Sequence, residues 1–505
     1  MNYESLISMP FQLFSQEGYF IIFVVLFSGL LIGAFMGAMP GLTATVAVAL
    51  MFPPSMQLPS LLGILFLSAV YTGGVYGGGV MSIALNIPGS GAAVATTFDG
   101  YPMTRKGKYY EAVGYGLGAS LVGCFLAYLA IFFLLVPIGT FAIRFGPPEM
   151  LMVAIFAIAV IGVVTGDLIR SVVAGFLGLL LGTIGSTPMG IPRGTFGFFE
   201  LIDGVPFVVA IIGLFAISEA IFLLNRKEIV EADDNIPKFN FGKIMFGFKG
   251  AFTYYWNLLR SSMIGLGVGI IPAAGSTIAS MMSYGRAKAS AKDPDSFGQG
   301  NPEGVVAAEA ANNGSEAGSM STMLAFGIPG SGATAILLGA FMMHGMTPGP
   351  YLVRDHIDFA YAVIISNFFQ AFLLLFAGIL LIAFIGKVIS VPIKILVPLI
   401  IATSVVGTFA YRGMMFDVYV LFLFGILGYF LRQHYYPLIS VVLGLVLADM
   451  LEGEFFRTIT IYSNGLWPVF QRPIFLTLLA ATIISLLIPL YKVIQKNRSK
   501  PESNL

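Results

Sequence analysis

The sequence predicts an all-α polytopic membrane protein of two inverted-topology repeats with broken or re-entrant helices, plus one extra C-terminal helix. Three observations predict it. The 505 residues are 57% hydrophobic and only 10% charged, with a mean hydropathy of +0.90, whereas soluble domains carry roughly 25% charge. The hexapeptide Ile87-Pro88-Gly89-Ser90-Gly91-Ala92 recurs letter for letter as Ile328-Pro329-Gly330-Ser331-Gly332-Ala333, each copy inside apolar sequence. Finally, loops that are basic in one half have neutral or acidic counterparts in the other, which inverts their side under the positive-inside rule.

Taken in order, residues 1–18 carry Glu4 and Glu17 without a cation and are expected outside. Residues 19–52 are too long for one crossing and are divided at Pro40-Gly41 into a helix and a shorter returning limb. A neutral loop from Pro53 to Pro59 follows outside, residues 60–98 cross with a break at Pro88, and Arg105, Lys106 and Lys108 mark the inside. Crossings at 111–136, 150–166, 170–184 and 205–224 lead to an inner loop with Arg226, Lys227, Lys238, Lys243 and Lys249. That loop separates a first repeat, 1–240, from a second, 241–470.

The second repeat opens on 250–284, where Gly265, Gly269 and Pro272 keep the spacing of Gly33, Gly37 and Pro40. Its next loop is basic at Arg286, Lys288 and Lys292, where the counterpart at 53–59 is neutral. After the second break Arg354 stands against Asp355 and Asp358, where the first copy is basic. Both comparisons point to inverted topology. Crossings at 359–386, 392–411, 414–431 and 436–450 complete the repeat. The extra helix, 473–491 within 471–505, takes Lys492, Lys496, Arg498 and Lys500 to the cytoplasm, with the N-terminus periplasmic.

Composition also excludes several classes. A net charge of +1 gives no nucleic-acid signal, and the lone Cys124, expected as a packed small hydrophobe, allows neither a disulfide nor a thiolate metal cage. No transition-metal site or other cofactor is expected. The 60 glycines suit close helix packing, as at Gly29 and Gly33. No Lys or Arg precedes Arg105, so a secretory signal is not expected. An ATP-driven pump is disfavoured by the lack of a Walker A motif. A hydrolase at Ser90 or Ser331 lacks a base, since His344, His356 and His434 are all placed near loops.

Proline removes a backbone donor and glycine permits unusual torsions, so a membrane helix breaks at Pro-Gly-Ser-Gly. Backbone broken at bilayer depth is tolerated where protein, water or solute supplies partners. Paired breaks in two halves are a mark of secondary transporters with a midplane site. Residues after each proline offer N–H groups where the helix dipole favours an anion. The candidate substrate site is therefore Asn86, Pro88, Gly89, Ser90, Gly91 and Ala92 with Pro329, Gly330, Ser331, Gly332 and Ala333.

No Lys or Arg stands near either copy on the membrane side, which points to a co-bound cation. Thr43, Thr45, Ser276 and Thr277, just beyond Pro40 and Pro272, offer oxygens to a hard cation or cap helices. Glu309, Asn313 and Glu316 form one helical stripe, widened by Asn312. Glu316, Asn312 and Asn313 are cation candidates, with interhelical hydrogen bonding the alternative for the asparagines. Glu303 and Glu309 are expected at a solvated helix end. Tyr71 and Tyr76 are expected to pack, with lining a pore as their other reading, and Asp99 to sit in a turn or cap at the inner surface, with a proton or sodium site as its other reading. Alternating access of an elevator-like kind is the expected mechanism, and a passive organic-anion channel is the alternative.

The stretch Asn86-Ile87-Pro88-Gly89-Ser90-Gly91, then Ala95-Thr96-Thr97-Phe98-Asp99-Gly100-Tyr101-Pro102-Met103 and Arg105-Lys106-Gly107, resembles the large membrane subunit of the tripartite tricarboxylate transporter family. The partner motif Gly327-Ile328-Pro329-Gly330-Ser331-Gly332, Gly345-Met346-Thr347-Pro348-Gly349-Pro350 and the early Met39-Pro40-Gly41 extend the resemblance over nearly the whole chain. It implies a bacterial inner-membrane secondary transporter, not an enzyme, surrounded by membrane lipid. It also implies a small membrane subunit of about four helices and a periplasmic solute-binding protein as partners. Citrate or another organic carboxylate is the implied substrate, driven by an ion gradient, with sodium expected as the coupling ion and a proton as the alternative.

Overall fold

The computed structural model describes residues 3–39, 41–164, 167–224, 239–272, 275–389 and 392–498. Pro40, Arg226, Lys227, Lys238 and Lys500 lie outside the described residues. The helices are α1 (Tyr3–Glu17), α2 (Tyr19–Gly37), α3 (Ala44–Ser55), α4 (Ser60–Leu85), α5 (Val94–Arg105), α6 (Tyr109–Ala142) and α7 (Pro147–Val164). Next come α8 (Leu168–Gly182), α9 (Phe207–Ile212), α10 (Ser218–Leu224), α11 (Phe241–Ala251), α12 (Tyr255–Gly269), α13 (Gly275–Ser290) and α14 (Pro302–Phe326). The last are α15 (Gly332–Met343), α16 (Pro350–Asp355), α17 (Ile357–Ile389), α18 (Ile393–Arg412), α19 (Met415–Gln433), α20 (Leu438–Ile461) and α21 (Pro473–Arg498). The described strands are the short antiparallel pair Gly185–Ser186 and Pro192–Arg193.

Among the described residues, seven stretches are long and apolar enough to cross a bilayer: α2, α4, α6, Phe207–Leu224, α17 to Ile385, α18 and α19. The protein is all-α and polytopic. The run Phe207–Leu224 stays helical through a π turn at Gly213–Ile217.

The chain forms two compact units, Met1–Gly139 with Ile211–Tyr429, and Thr140–Ala210 with Phe430–Leu505. Within the first, α2 packs along α4 and α12 along α14 through a repeated backbone contact. A Cβ on Gly33 would stand 2.1 Å from the Val70 carbonyl oxygen, and one on Gly37 2.2 Å from that of Gly74. Gly265 and Gly269 meet the carbonyls of Ala311 and Ser315 at 2.5 and 2.2 Å. Val70 and Ala311 each stand 17 residues before the isoleucine of their hexapeptide, and Gly74 and Ser315 each stand 13 before it. The duplication in the sequence is therefore a duplication of packing, because at these four positions a glycine, with no Cβ, lets two membrane helices meet backbone to backbone.

The second unit is held differently. Gly178 of α8 and Gly444 of α20 give the same close approach, while Arg472 donates to the buried Glu149. Arg193 of the strand pair makes a bidentate bond to Glu452 at 2.9 and 2.8 Å.

Three segments differ from the sequence expectation. Residues 3–17 are helical, with Leu6, Pro10 and Phe14 recurring every fourth residue on the buried face. Lys243 and Lys249 belong to helix α11, whose Ile244 and Gly247 are buried and whose Gly247 lies on the Glu111 backbone. Helix α3 continues through Pro53 and Pro54 to Ser55, and Pro53 packs on Gly407 of α18.

Candidate functional site

Both hexapeptides end a buried helix in a left-handed cap: Asn86 at φ 58° after α4 and Gly327 at φ 71° after α14. Every residue from Leu61 to Ala84 and from Gly304 to Ala325 is buried. Proline then blocks resumption of the helix, and the chain runs extended to Ser90 (φ −150°, ψ 167°) and Ser331 (φ −149°, ψ 168°). The two breaks have the same shape. Each folds back on its own helix: a Cβ at Gly89 would lie 2.5 Å from Gly78 Cα, and one at Gly330 2.7 Å from Ser319 Cα.

Each break also meets the hairpin of the opposite half. Thr277 Oγ1 of α13 lies 2.6 Å from where a Gly91 Cβ would stand, and Thr45 of α3 approaches Gly332 at 2.7 Å through Cγ2 and 3.1 Å through Oγ1. Thr45 and Thr277 stand five residues beyond Pro40 and Pro272. The structure thus brings two of the four hydroxyl candidates to the breaks. Thr43 instead caps α3, accepting from the Val46 N–H at 3.3 Å, and Ser276 lies in the first turn of α13.

The ends of the breaks differ. Ser331 opens α15 in a reciprocal capping box with Thr334, and its hydroxyl shares a 3.1 Å hydrogen bond with Tyr71 of α4. Ser90 makes no side-chain cap and precedes a 3₁₀ turn at Gly91–Ala93. Asn86, Pro88 and Gly91 are exposed while Gly89 and Ala92 are buried, whereas Pro329, Gly330, Gly332 and Ala333 are all buried. The anion-binding geometry expected of both copies is thus more open at the first, since at the second the side-chain caps engage the N–H groups. Helix α4 touches both copies: Gly78 lies on Gly89, and Tyr71, about 10 Å back along the axis, reaches Ser331.

A buried polar network adjoins this arrangement. Glu316 Oε1 accepts from Thr72 of α4 at 2.5 Å and from Tyr128 of α6 at 3.2 Å, and Glu316 Oε2 has no partner. Asn312 and Asn313 are fully buried; the Asn313 amide has no hydrogen-bond partner, and Asn312 lies against Glu309 of the same helix. Interhelical hydrogen bonding therefore does not account for them. On α17, Asn367 and Gln370 face Thr72 as well, and sequence reasoning missed both because their helix is apolar around them. The i, i+3 spacing of Asn367 and Gln370, with Ser366 beside them, is the signal that could have revealed them.

Glu309 corrects an expectation. It is fully buried, not at a solvated helix end, and accepts from Thr96 at 2.5 Å and Ser120 at 3.2 Å. Small neighbours make its room, for a Cβ on Gly79 would stand 2.5 Å from both carboxylate oxygens. Among the described residues no Lys or Arg is buried, so Glu309 and Glu316 have no fully buried basic partner there.

Asp99 is an anchor. Its Oδ1 accepts the N–H groups of Gly298, Gly300 and Asn301 at 2.9, 2.8 and 2.7 Å, and Oδ2 accepts from Tyr284 at 2.9 Å. It ties α5, which follows the first break, to the loop that opens α14. Replacement by alanine strips four donors of their buried acceptor and is expected to cost about 3 kcal/mol of stability. Thermal unfolding of the purified chain, with faster tryptic cleavage after Lys292, checks this.

Residues 23–443 match the tripartite tricarboxylate transporter TctA family. An uncharacterized 52.8 kDa protein from the TAR-I ttuC′ 3′ region of Agrobacterium vitis is 31% identical over 94% of this chain and 94% of its own length. An uncharacterized protein from the TAR-II ttuC′ 3′ region of the same organism is 32% identical over 46% of this chain and 96% of its own. No solved structure matches the chain at a significant level. With the family covering both hexapeptides and all the helices that surround them, the chain belongs to the TctA family and is a membrane component of a tripartite tricarboxylate transporter.

Proposed function

We propose that this chain imports an organic carboxylate, a tricarboxylate such as citrate or a related acid, across the bacterial inner membrane by cation-coupled alternating access. The observation that carries the reading is the pair of breaks with equal torsions, each seated on a threonine of the opposite half. A carboxylate is held by the N–H groups after Gly89, the Asn86 amide and the Ser90 hydroxyl at the open break, with Ser331 reached through Tyr71 from the other. Buried acids without a buried basic partner among the described residues support coupling to sodium: Glu316, with the buried amides of Asn312 and Asn313, is the ion side of the mechanism.

The two repeats, 1–240 and 241–470, are of inverted topology, with the N-terminus periplasmic and the C-terminus cytoplasmic. The break-bearing helices move together in an elevator-like step. A periplasmic solute-binding protein delivers the substrate, and a small subunit of about four helices completes the complex.

The test is uptake of labelled citrate by vesicles holding this chain, its small subunit and a matching binding protein, with and without a sodium gradient. Sodium-driven accumulation is expected, and Gly91→Leu and Gly332→Leu are expected to reduce it by about two orders of magnitude at normal expression, because leucine there meets Thr277 or Thr45. Equilibration without accumulation identifies a passive anion channel and overturns the reading.

A further inference from the structure

We propose that Thr72, Glu316, Asn367 and Gln370 form the binding site for one sodium ion, an inference that rests on the cation-coupled reading above. Around Thr72 Oγ1 converge Glu316 Oε1 at 2.5 Å, Gln370 Oε1 at 2.9 Å and Asn367 Oδ1 at 3.3 Å. All four residues are fully buried. The Ser68 carbonyl lies 3.2 Å from the same Thr72 hydroxyl, which has one proton, so it satisfies one of these four acceptors and leaves the others facing oxygen.

The Asn367 amide is held in this orientation from behind. Asn367 Nδ2 donates to the Val363 carbonyl at 2.8 Å and to Ser68 Oγ at 3.1 Å, which turns its oxygen to Thr72. Gln370 Nε2 faces Ser366 Oγ at 3.3 Å and Ser68 Oγ at 3.5 Å. Tyr128 adds one more proton, on Glu316 Oε1, and Glu316 Oε2 has no partner.

Acceptors in such excess, buried together, carry a large desolvation cost unless something positive sits among them. One extra proton on Glu316 satisfies one further oxygen, whereas a hard cation engages the carboxylate, both amide oxygens and the hydroxyl together. The single carboxylate matches a single charge, and a divalent ion would leave the buried site positive.

The placement gives the ion a coupling role. Thr72 adjoins Tyr71, whose hydroxyl reaches Ser331 of the second break, and Glu316 lies on the helix that enters that break. An ion here draws α4, α14 and α17 together beside the carboxylate site.

The experiment is thermal unfolding of the purified full chain in detergent, in sodium chloride or choline chloride at equal ionic strength, over a pH series, without substrate or partners. A midpoint that rises with sodium and not with choline is expected. Thr72→Val, which removes the hydroxyl at constant shape, and Gln370→Leu are expected to weaken the apparent sodium affinity about tenfold or more. Thr72→Ser is expected to restore it, and Thr96→Val, at Glu309, to leave it unchanged. Stabilisation that follows pH and ignores sodium, or sodium affinity undiminished in Thr72→Val, overturns the site. Sodium binding with no accumulation of citrate or of any related di- or monocarboxylate retains this site and sinks the carboxylate reading, so the two failures are distinguishable.

Discussion

Gly37→Leu is expected to leave almost no folded chain in the membrane, and Gly269→Leu to do the same from the other half. At both positions the added Cβ would lie 2.2 Å from a backbone carbonyl oxygen, of Gly74 and Ser315 respectively. A flexible side chain can turn away from such a clash, but a helix backbone can only be displaced along its length. Separating α2 from α4, or α12 from α14, forfeits the contacts that hold helices together where no hydrophobic drive operates. A loss of more than about 4 kcal/mol follows, a large fraction of the stability of a typical domain. Gly267, on the same helix as Gly269, has nothing within 4 Å of its Cβ position. Gly267→Leu is therefore expected to accumulate normally, and size-exclusion profiles of fluorescently tagged variants measure all three. Equal yields for Gly267→Leu and Gly269→Leu would refute the backbone contact as the cause.

The second large effect is expected at Glu316. Glu316→Gln keeps the volume and the contacts to Thr72 and Tyr128 but removes the charge, so folding is retained. Gradient-driven uptake is expected to fall by about two orders of magnitude, the consequence of losing roughly 3 kcal/mol of cation binding. Sodium-dependent uptake of labelled citrate, normalised to folded chain, gives the number. Glu309→Gln is the informative comparison. Both Glu309 oxygens have hydroxyl partners, whereas Glu316 retains one without any. The neutral amide is accordingly expected to be far better tolerated at Glu309, and equal losses at the two positions would refute the distinction.

The different legibility of these two acids has a physical origin. Both were visible in the sequence as members of one stripe, but depth along a helix is not a sequence property. Glu309 lies near enough to charged Glu303 and the basic loop to resemble a helix end; what buries it is room left by Gly79 and the hydroxyls of Thr96 and Ser120 from the other half. Asp99 was similarly legible as a polar residue in a turn-like stretch, and only the fold turned three distant N–H groups toward it. Asn367 and Gln370 stood in plain sight on an apolar helix, yet their significance lies in facing Thr72 some 300 residues away.

By itself, the sequence determined the membrane class, the duplication and the positions of the breaks. Bilayer burial demands continuous apolar runs, proline removes a donor wherever it stands, and a repeated hexapeptide is a repeated backbone instruction. Tertiary structure alone decided which residues those breaks meet. The seating of Gly91 on Thr277 and of Gly332 on Thr45, the free oxygen of Glu316 and the burial of Glu309 all arise between segments from opposite halves. Local chemistry fixes where a helix must stop, but the partner of a buried polar group is set by packing across the molecule, which no local pattern encodes.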